Sequence, residues 1–155
     1  MAAPSDHPLL FKPDGFFIKP WRGWGVVMAP TGKTLARFSA FGDGRAESRS
    51  AVVFQNLTFE DGRTHRVEWE IVSDDEGRYV ATETTTAVVA RGLVSGGNFC
   101  WSFKAPGPTP VGVRRCSTRV RYTLVTPEKA LSFAETKWLG LPLARITTFY
   151  ERREA

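Results

Sequence analysis

Cysteine and histidine are scarce in this chain of 155 residues, with two of each. Neither pair stands at the short spacings that build a zinc site, and two cysteines cannot form the multiple bridges of a disulfide-framework domain. Hydrophobic runs are short as well. None approaches the roughly 18 apolar residues that a membrane-spanning helix requires. The opening segment, Met1-Ala2-Ala3-Pro4-Ser5-Asp6, has no basic stretch followed by an apolar one, so it does not read as a secretory signal. The expected location is cytoplasmic, or the envelope if a signal segment has been removed. Also missing are a Gly-x-Ser-x-Gly elbow, a Walker loop and a His-Glu-x-x-His helix. No histidine follows His65, which leaves no late axial ligand for haem. No cofactor and no metal are expected.

Acidic residues are absent between Glu83 and Glu128, a stretch that holds Arg91, Lys104, Arg114, Arg115, Arg119 and Arg121. Residues 1–77 carry nine Lys and Arg against eleven Asp and Glu, whereas residues 78–155 carry twelve against five. One side of the folded molecule should therefore be positive and suited to an anion or an acidic partner. The chain shows no helix-turn-helix, zinc finger or aromatic RNA-binding strand signature, and nucleic acid is not an expected partner.

What the chain does have is alternation. His65, Val67, Trp69 and Ile71 fall on one face of a strand whose other face holds Arg66, Glu68 and Glu70. Phe99, Trp101 and Phe103 alternate with Cys100 and Ser102, and Cys116, Thr118, Val120, Tyr122 and Leu124 alternate with Ser117, Arg119, Arg121 and Thr123. Turn signals such as Ala29-Pro30-Thr31-Gly32, Glu60-Asp61-Gly62, Ser95-Gly96-Gly97 and Thr126-Pro127-Glu128 punctuate these runs. The resulting expectation is nine or ten strands, over 21–29, 34–42, 46–58, 63–73, 78–86, 87–94, 98–105, 112–126, 130–138 and 143–152. One short helical turn near Asp14–Lys19 is suited to closing a barrel end. Gly42 and Gly44 are read as a bend between two strands.

Consecutive hairpins in one domain hide their edges most directly by closing. The expected fold is all-β: an antiparallel up-and-down, lipocalin-like (calycin) barrel, with a β-sandwich as the fallback. Residues 1–15 are assigned to a loose N-terminal segment and 16–155 to a single barrel domain. A hairpin centred on residue 108 would place Cys100 opposite Cys116 as a pair of thiols.

Polar residues in phase with apolar ones mark the candidate site. Tyr79, Ala81 and Glu83 share a face, Glu135 and Lys137 are in phase with Leu131 and Phe133, and Tyr122 lies between Val120 and Leu124. A lumen walled by Trp69, Tyr79, Trp101 and Tyr122, with Glu83, Glu135 and Lys137 as polar handles, suits a small molecule. Lys137 pairing with Glu135 or Glu83 inside the lumen is the structural alternative.

The order of short motifs carries a resemblance. Phe16-Phe17, Trp24-Gly25, Gly32-Lys33, Arg37-Phe38, Glu60-Asp61-Gly62 and Val67-Glu68-Trp69 are followed by Gly77-Arg78-Tyr79, Ala90-Arg91-Gly92, Gly97-Asn98, Trp101, Lys137-Trp138-Leu139-Gly140 and Thr148-Phe149-Tyr150. In this the chain resembles the bacterial domain-of-unknown-function family 3833, which implies a lipoprotein-type, lipocalin-like barrel without a settled activity. Thr84-Thr85-Thr86 stands where the family has an acidic stretch. There is a further echo of lipocalins and fatty-acid-binding proteins, which pack a first-strand Trp against a last-strand basic residue. Trp21 or Trp24 with Arg145 or Arg152 would fill those parts, although Lys19-Pro20-Trp21 replaces the lipocalin Gly-x-Trp.

Three functions are compatible with this reading. The leading one is binding of a small, partly apolar, anionic molecule in the lumen. The second is an isomerase, cyclase or decarboxylase that uses lumen acid–base residues, and the third is an interaction module built on the basic strand Arg114–Arg121.

Overall fold

The computed structural model describes residues 9–74 and 76–153. After a one-turn helix α1 (Pro13–Phe16) come ten strands: β1 (Trp21–Met28), β2 (Thr34–Ala46), β3 (Ser50–Phe59), β4 (Thr64–Ser73), β5 (Arg78–Glu83), β6 (Val89–Ser95), β7 (Asn98–Thr109), β8 (Gly112–Thr126), β9 (Lys129–Trp138) and β10 (Leu141–Arg152). Each strand pairs antiparallel with the next. β1 pairs with β10, from Trp21 opposite Arg152 to Met28 opposite Arg145, which closes the barrel. Period-two alternation dictates this result, because every strand has one apolar face to bury and closure leaves no terminal strand unpaired. No helix among the described residues is long and apolar enough to cross a membrane.

The two ends of the barrel differ. At one end the chain before β1 turns inward and acts as a plug. Phe11, Phe16 and Phe17 are buried. Phe11 stacks on Tyr122 with ring centroids 4.8 Å apart, and Phe17 meets Trp21 and Tyr150 edge-on at 5.4 Å each. Backbone bonds fix the plug to the wall: the Phe11 N–H donates to the Gly97 carbonyl at 3.2 Å, and the Gly44 N–H donates to the Ile18 carbonyl at 3.1 Å. Edge-to-face and stacked aromatic pairs of this kind add to what area burial alone supplies. Residues 1–8 of the segment expected to be loose lie outside the described residues, but its later part is corrected, since Phe11 and Pro13 belong to the core. Trp21 lies opposite Arg152 in the register of β1 and β10, and the Arg152 guanidinium sits 5.6 Å from the Phe16 ring centre.

Two local expectations are overturned. β2 runs unbroken through Gly42 and Gly44, and the turn falls at Glu47–Arg49. Gly42 is required by close approach, not by a bend: a Cβ there would stand 1.9 Å from the Phe54 carbonyl oxygen and 2.7 Å from the Trp21 ring. The β7–β8 hairpin also turns later than expected, at Pro110-Val111, with Thr109 opposite Gly112. Cys100 therefore faces Arg121, and Cys116 faces Ala105. Cys100 points outward and Cys116 inward, and both are free thiols. The prolines made 105–111 look like a loop. However, β6 pairs with β7 only as far as Ser102, so Pro106 and Pro108 stand where the β6-side edge is vacant and a missing N–H breaks no bond to that neighbour.

Candidate functional site

β5 and β6 are much shorter than β7 and β8, so the barrel wall is low between β4 and β7. β5 pairs with β4 only from Trp69 onward, leaving Thr64–Glu68 beside a notch whose other side is β7 beyond Ser102. The floor of the notch is the Thr84–Val88 turn, tied down by the Thr84 N–H on the Glu68 carbonyl at 3.0 Å. A depression of about 1350 Å³ runs from this turn along β7–β10, and its lining takes in both sheet faces: inward Phe103, Ala105 and Thr118, and outward Arg119, Lys137 and Arg145.

Burial separates the two halves of the interior. Toward the plug, inward-facing side chains such as Ile71, Ala81, Ala90 and Phe99 are fully buried. Toward the open end, Val27, Phe38, Leu57, Val67, Phe103 and Ile146 occupy the same inward register, yet all remain partly exposed. The barrel is thus solid at the plug and open at the mouth, where solvent reaches apolar side chains.

Trp69 and Trp101 sit at the boundary between these halves, 5.4 Å apart, and Phe103 packs 5.8 Å from Trp69. Tyr122 and Tyr79 lie deeper. The Tyr79 hydroxyl donates to Asp14 Oδ1 at 3.2 Å, and burial first, then the Asp14 charge, pushes its pKa up to about 12. Burial also raises Tyr122 well above the ordinary phenol value, and raises Tyr150. All three therefore stay protonated near neutral pH and act as hydrogen-bonding groups, not as bases.

Glu83 faces inward and is buried. Burial favours its neutral form, but the Thr86 hydroxyl and the N–H groups of Thr86, Glu68 and Thr85 outweigh this and hold the pKa below the usual carboxylate range. The bonds to Thr86 are 2.7 Å and 2.6 Å, and the one from Thr85 N–H is 3.0 Å. Its work is local: it clamps the β5–β6 turn that forms the notch floor.

The expectation that Glu135 and Lys137 line the lumen is corrected. They lie on the outer face and pair there at 3.2 Å, with Arg145 on the second carboxylate oxygen at 3.3 Å. Lys137, and Arg145 after it, hold the Glu135 carboxyl below its ordinary pKa. In β9 the inward residues are Ala130, Ser132, Ala134 and Thr136. Leu131 and Phe133 face outward, with Phe133 lying 5.5 Å from the Arg121 guanidinium. Outward placement spares both charges the cost of desolvation.

That inward row reveals a group that the sequence reading missed. Ser132 is opposite both Tyr122 and Thr148, and its hydroxyl donates to the Tyr150 hydroxyl at 3.3 Å. Ser132, Thr148, Tyr122 and Tyr150 are all buried. Close by in the same interior, the Trp101 indole N–H is buried without a hydrogen-bond partner among the described residues. The hydroxyls of this group are polar and uncharged and lie beside the plug, where Phe11 stacks on Tyr122 and Phe17 meets Tyr150. The signal was present as small residues in phase on β9, together with Thr148-Phe149-Tyr150. Among the described residues, no group of three His, Cys, Asp or Glu side chains stands close enough to hold a metal ion.

A family model described as a protein of unknown function, DUF3833, matches residues 4–152. The chain belongs to the DUF3833 family. No curated protein matches it significantly. Several solved structures share its fold. The S-type phycobiliprotein lyase CPES from Guillardia theta superposes with a TM-score of 0.67 at 12% identity, over 89% of each chain. A protein of unknown function from the DUF3598 family of Nostoc punctiforme gives 0.62 at 14%, over 95% of this chain and 50% of that one. Rv2717c from M. tuberculosis gives 0.61 at 14%, over 90% and 94%. At these identities the likeness establishes a lipocalin-like barrel for this DUF3833 member and leaves its activity to be argued from its own residues.

Proposed function

We propose that this DUF3833 protein binds a small, partly apolar molecule in the open half of its lumen. The observation that carries the reading is the contrast within one inward register: apolar side chains buried toward the plug, apolar side chains partly exposed toward the mouth. Val67, Phe103 and Ile146 would supply contact area. The unpaired Trp101 N–H, at the boundary between the two halves, would orient the polar end of the ligand. The anionic character expected from the charge balance is better matched at the rim than in the depths, since cations that line the depression, Arg119, Lys137 and Arg145 among them, face outward. An acid–base reaction inside the lumen finds less support, because Glu83 is fully engaged and Glu135 lies outside.

Native mass spectrometry of protein purified from its own cells tests the reading. The expected result is an adduct that is retained natively, lost on denaturation, and lost from Ala134→Phe while the β-sheet circular dichroism is unchanged. An adduct that persists in Ala134→Phe would place the ligand elsewhere and overturn the reading.

A further inference from the structure

Two hairpin tips project from the open end on the basic side of the barrel. The β7–β8 tip exposes Val111 at 55% and Val113 at 67%, and the β9–β10 tip exposes Leu139 at 81% and Leu141 at 58%. Isolated exposed aliphatics are ordinary, but here four stand on two tips at the same end of the barrel. Leu139 is the more telling for its backbone. It occupies the first place of the two-residue turn Leu139-Gly140 with φ of 51°, followed by Gly140 at 79°. Such a turn favours Asn-Gly, and a branched aliphatic side chain with positive φ is strained there. Here the strain accompanies a side chain that packs on nothing in the fold.

Behind the tips the outer face is cationic. Arg115, Arg119, Lys137 and Arg145 are all exposed there. The acid among them, Glu135, is held by Lys137 and Arg145. No acidic residue lies in the whole of β6, β7 or β8.

We propose that these two tips seat the protein on an anionic lipid bilayer, with Val111, Val113, Leu139 and Leu141 entering the interface and the basic belt meeting the headgroups. Aliphatic tips ahead of a cationic collar match the layering of a membrane surface, with apolar groups at the acyl boundary and positive charge at the phosphates. A nucleic acid offers the tips nothing: its single strands are held by stacking aromatics and its phosphates by charge alone. The inference stands on the tips and the belt and does not require the lumen to hold a ligand. If both hold, the mouth faces the bilayer.

Co-sedimentation of the full chain with vesicles tests it, using phosphatidylcholine alone and equal parts phosphatidylcholine and phosphatidylglycerol. The expected result is binding to the anionic vesicles at low salt, weakened by added salt and absent with phosphatidylcholine alone. Val113→Ser with Leu139→Ser, and separately Arg115→Glu with Arg119→Glu, should each weaken it by about tenfold or more. Leu139→Asn separates binding from folding, because Asn relieves the turn: melting should rise while vesicle affinity falls. No sedimentation with anionic vesicles would overturn the proposal. So would vesicle binding untouched by the tip substitutions, or binding to a single-stranded homopolymer in place of vesicles.

Discussion

Glu83 shows how a buried carboxylate can be structural in spite of its place in a lumen. Its folded-state pKa lies below the ordinary value of 4.5 because the hydrogen bonds from Thr86, Glu68 and Thr85 prefer the charged form. The sign follows directly. The contribution to stability is complete above the unfolded value and is lost as pH falls through the lower folded value. Thermal melts between neutral pH and pH about 3 should therefore show a destabilisation that is smaller in Glu83→Gln than in the parent, with Glu83→Gln the less stable of the two at neutral pH. Equal pH dependence in the two proteins would contradict this account. Gly42 is the second informative residue. Gly42→Ala drives a methyl group into the Phe54 carbonyl and the Trp21 ring, and denaturant melts should record a loss of about 1–3 kcal/mol or more.

At the scale of elements, the segment before β1 behaves as part of the core. Phe17 is buried among Phe11, Trp21, Tyr122 and Tyr150. Phe17→Ala should cost about 3–5 kcal/mol in chemical denaturation, whereas a passive tail would lose almost nothing. The strands were largely legible in the sequence, because alternation and turn residues are local signals. The phase of β9 was not: Leu131 and Phe133 are the larger apolar residues, yet the smaller Ala130, Ser132, Ala134 and Thr136 face inward. Barrel interiors select for volume as well as polarity, and the aromatics of neighbouring strands had already filled that space. The Cys100–Cys116 pairing failed for a related reason, since proline reads locally as a loop and tolerance for it on β7 depends on how far β6 extends. Mild oxidation should leave the intact mass without the deficit of about two mass units that a bridge would cause. Iodoacetamide should label partly exposed Cys100 before buried Cys116.

The molecule as a whole pairs neighbours along the chain at nine seams and joins its two ends at the tenth, β1 with β10. The fold superposes on lipocalin-like structures at 12–14% identity, because topology and volume constrain a barrel more than any motif does. The proposed ligand site and membrane face both belong to the open end, where the charge asymmetry seen in the sequence becomes a cationic flank. Closure is incomplete at the notch, however, and this has a consequence for solubility. Two strand edges, Thr64–Glu68 of β4 and Phe103–Thr109 of β7, flank an opening that a strand from another molecule would fit. Pro106 and Pro108 on the second of these act as gatekeepers. Replacing both with Thr restores two N–H groups to that edge, and sedimentation velocity should then find dimers or larger species that the parent does not form at the same concentration.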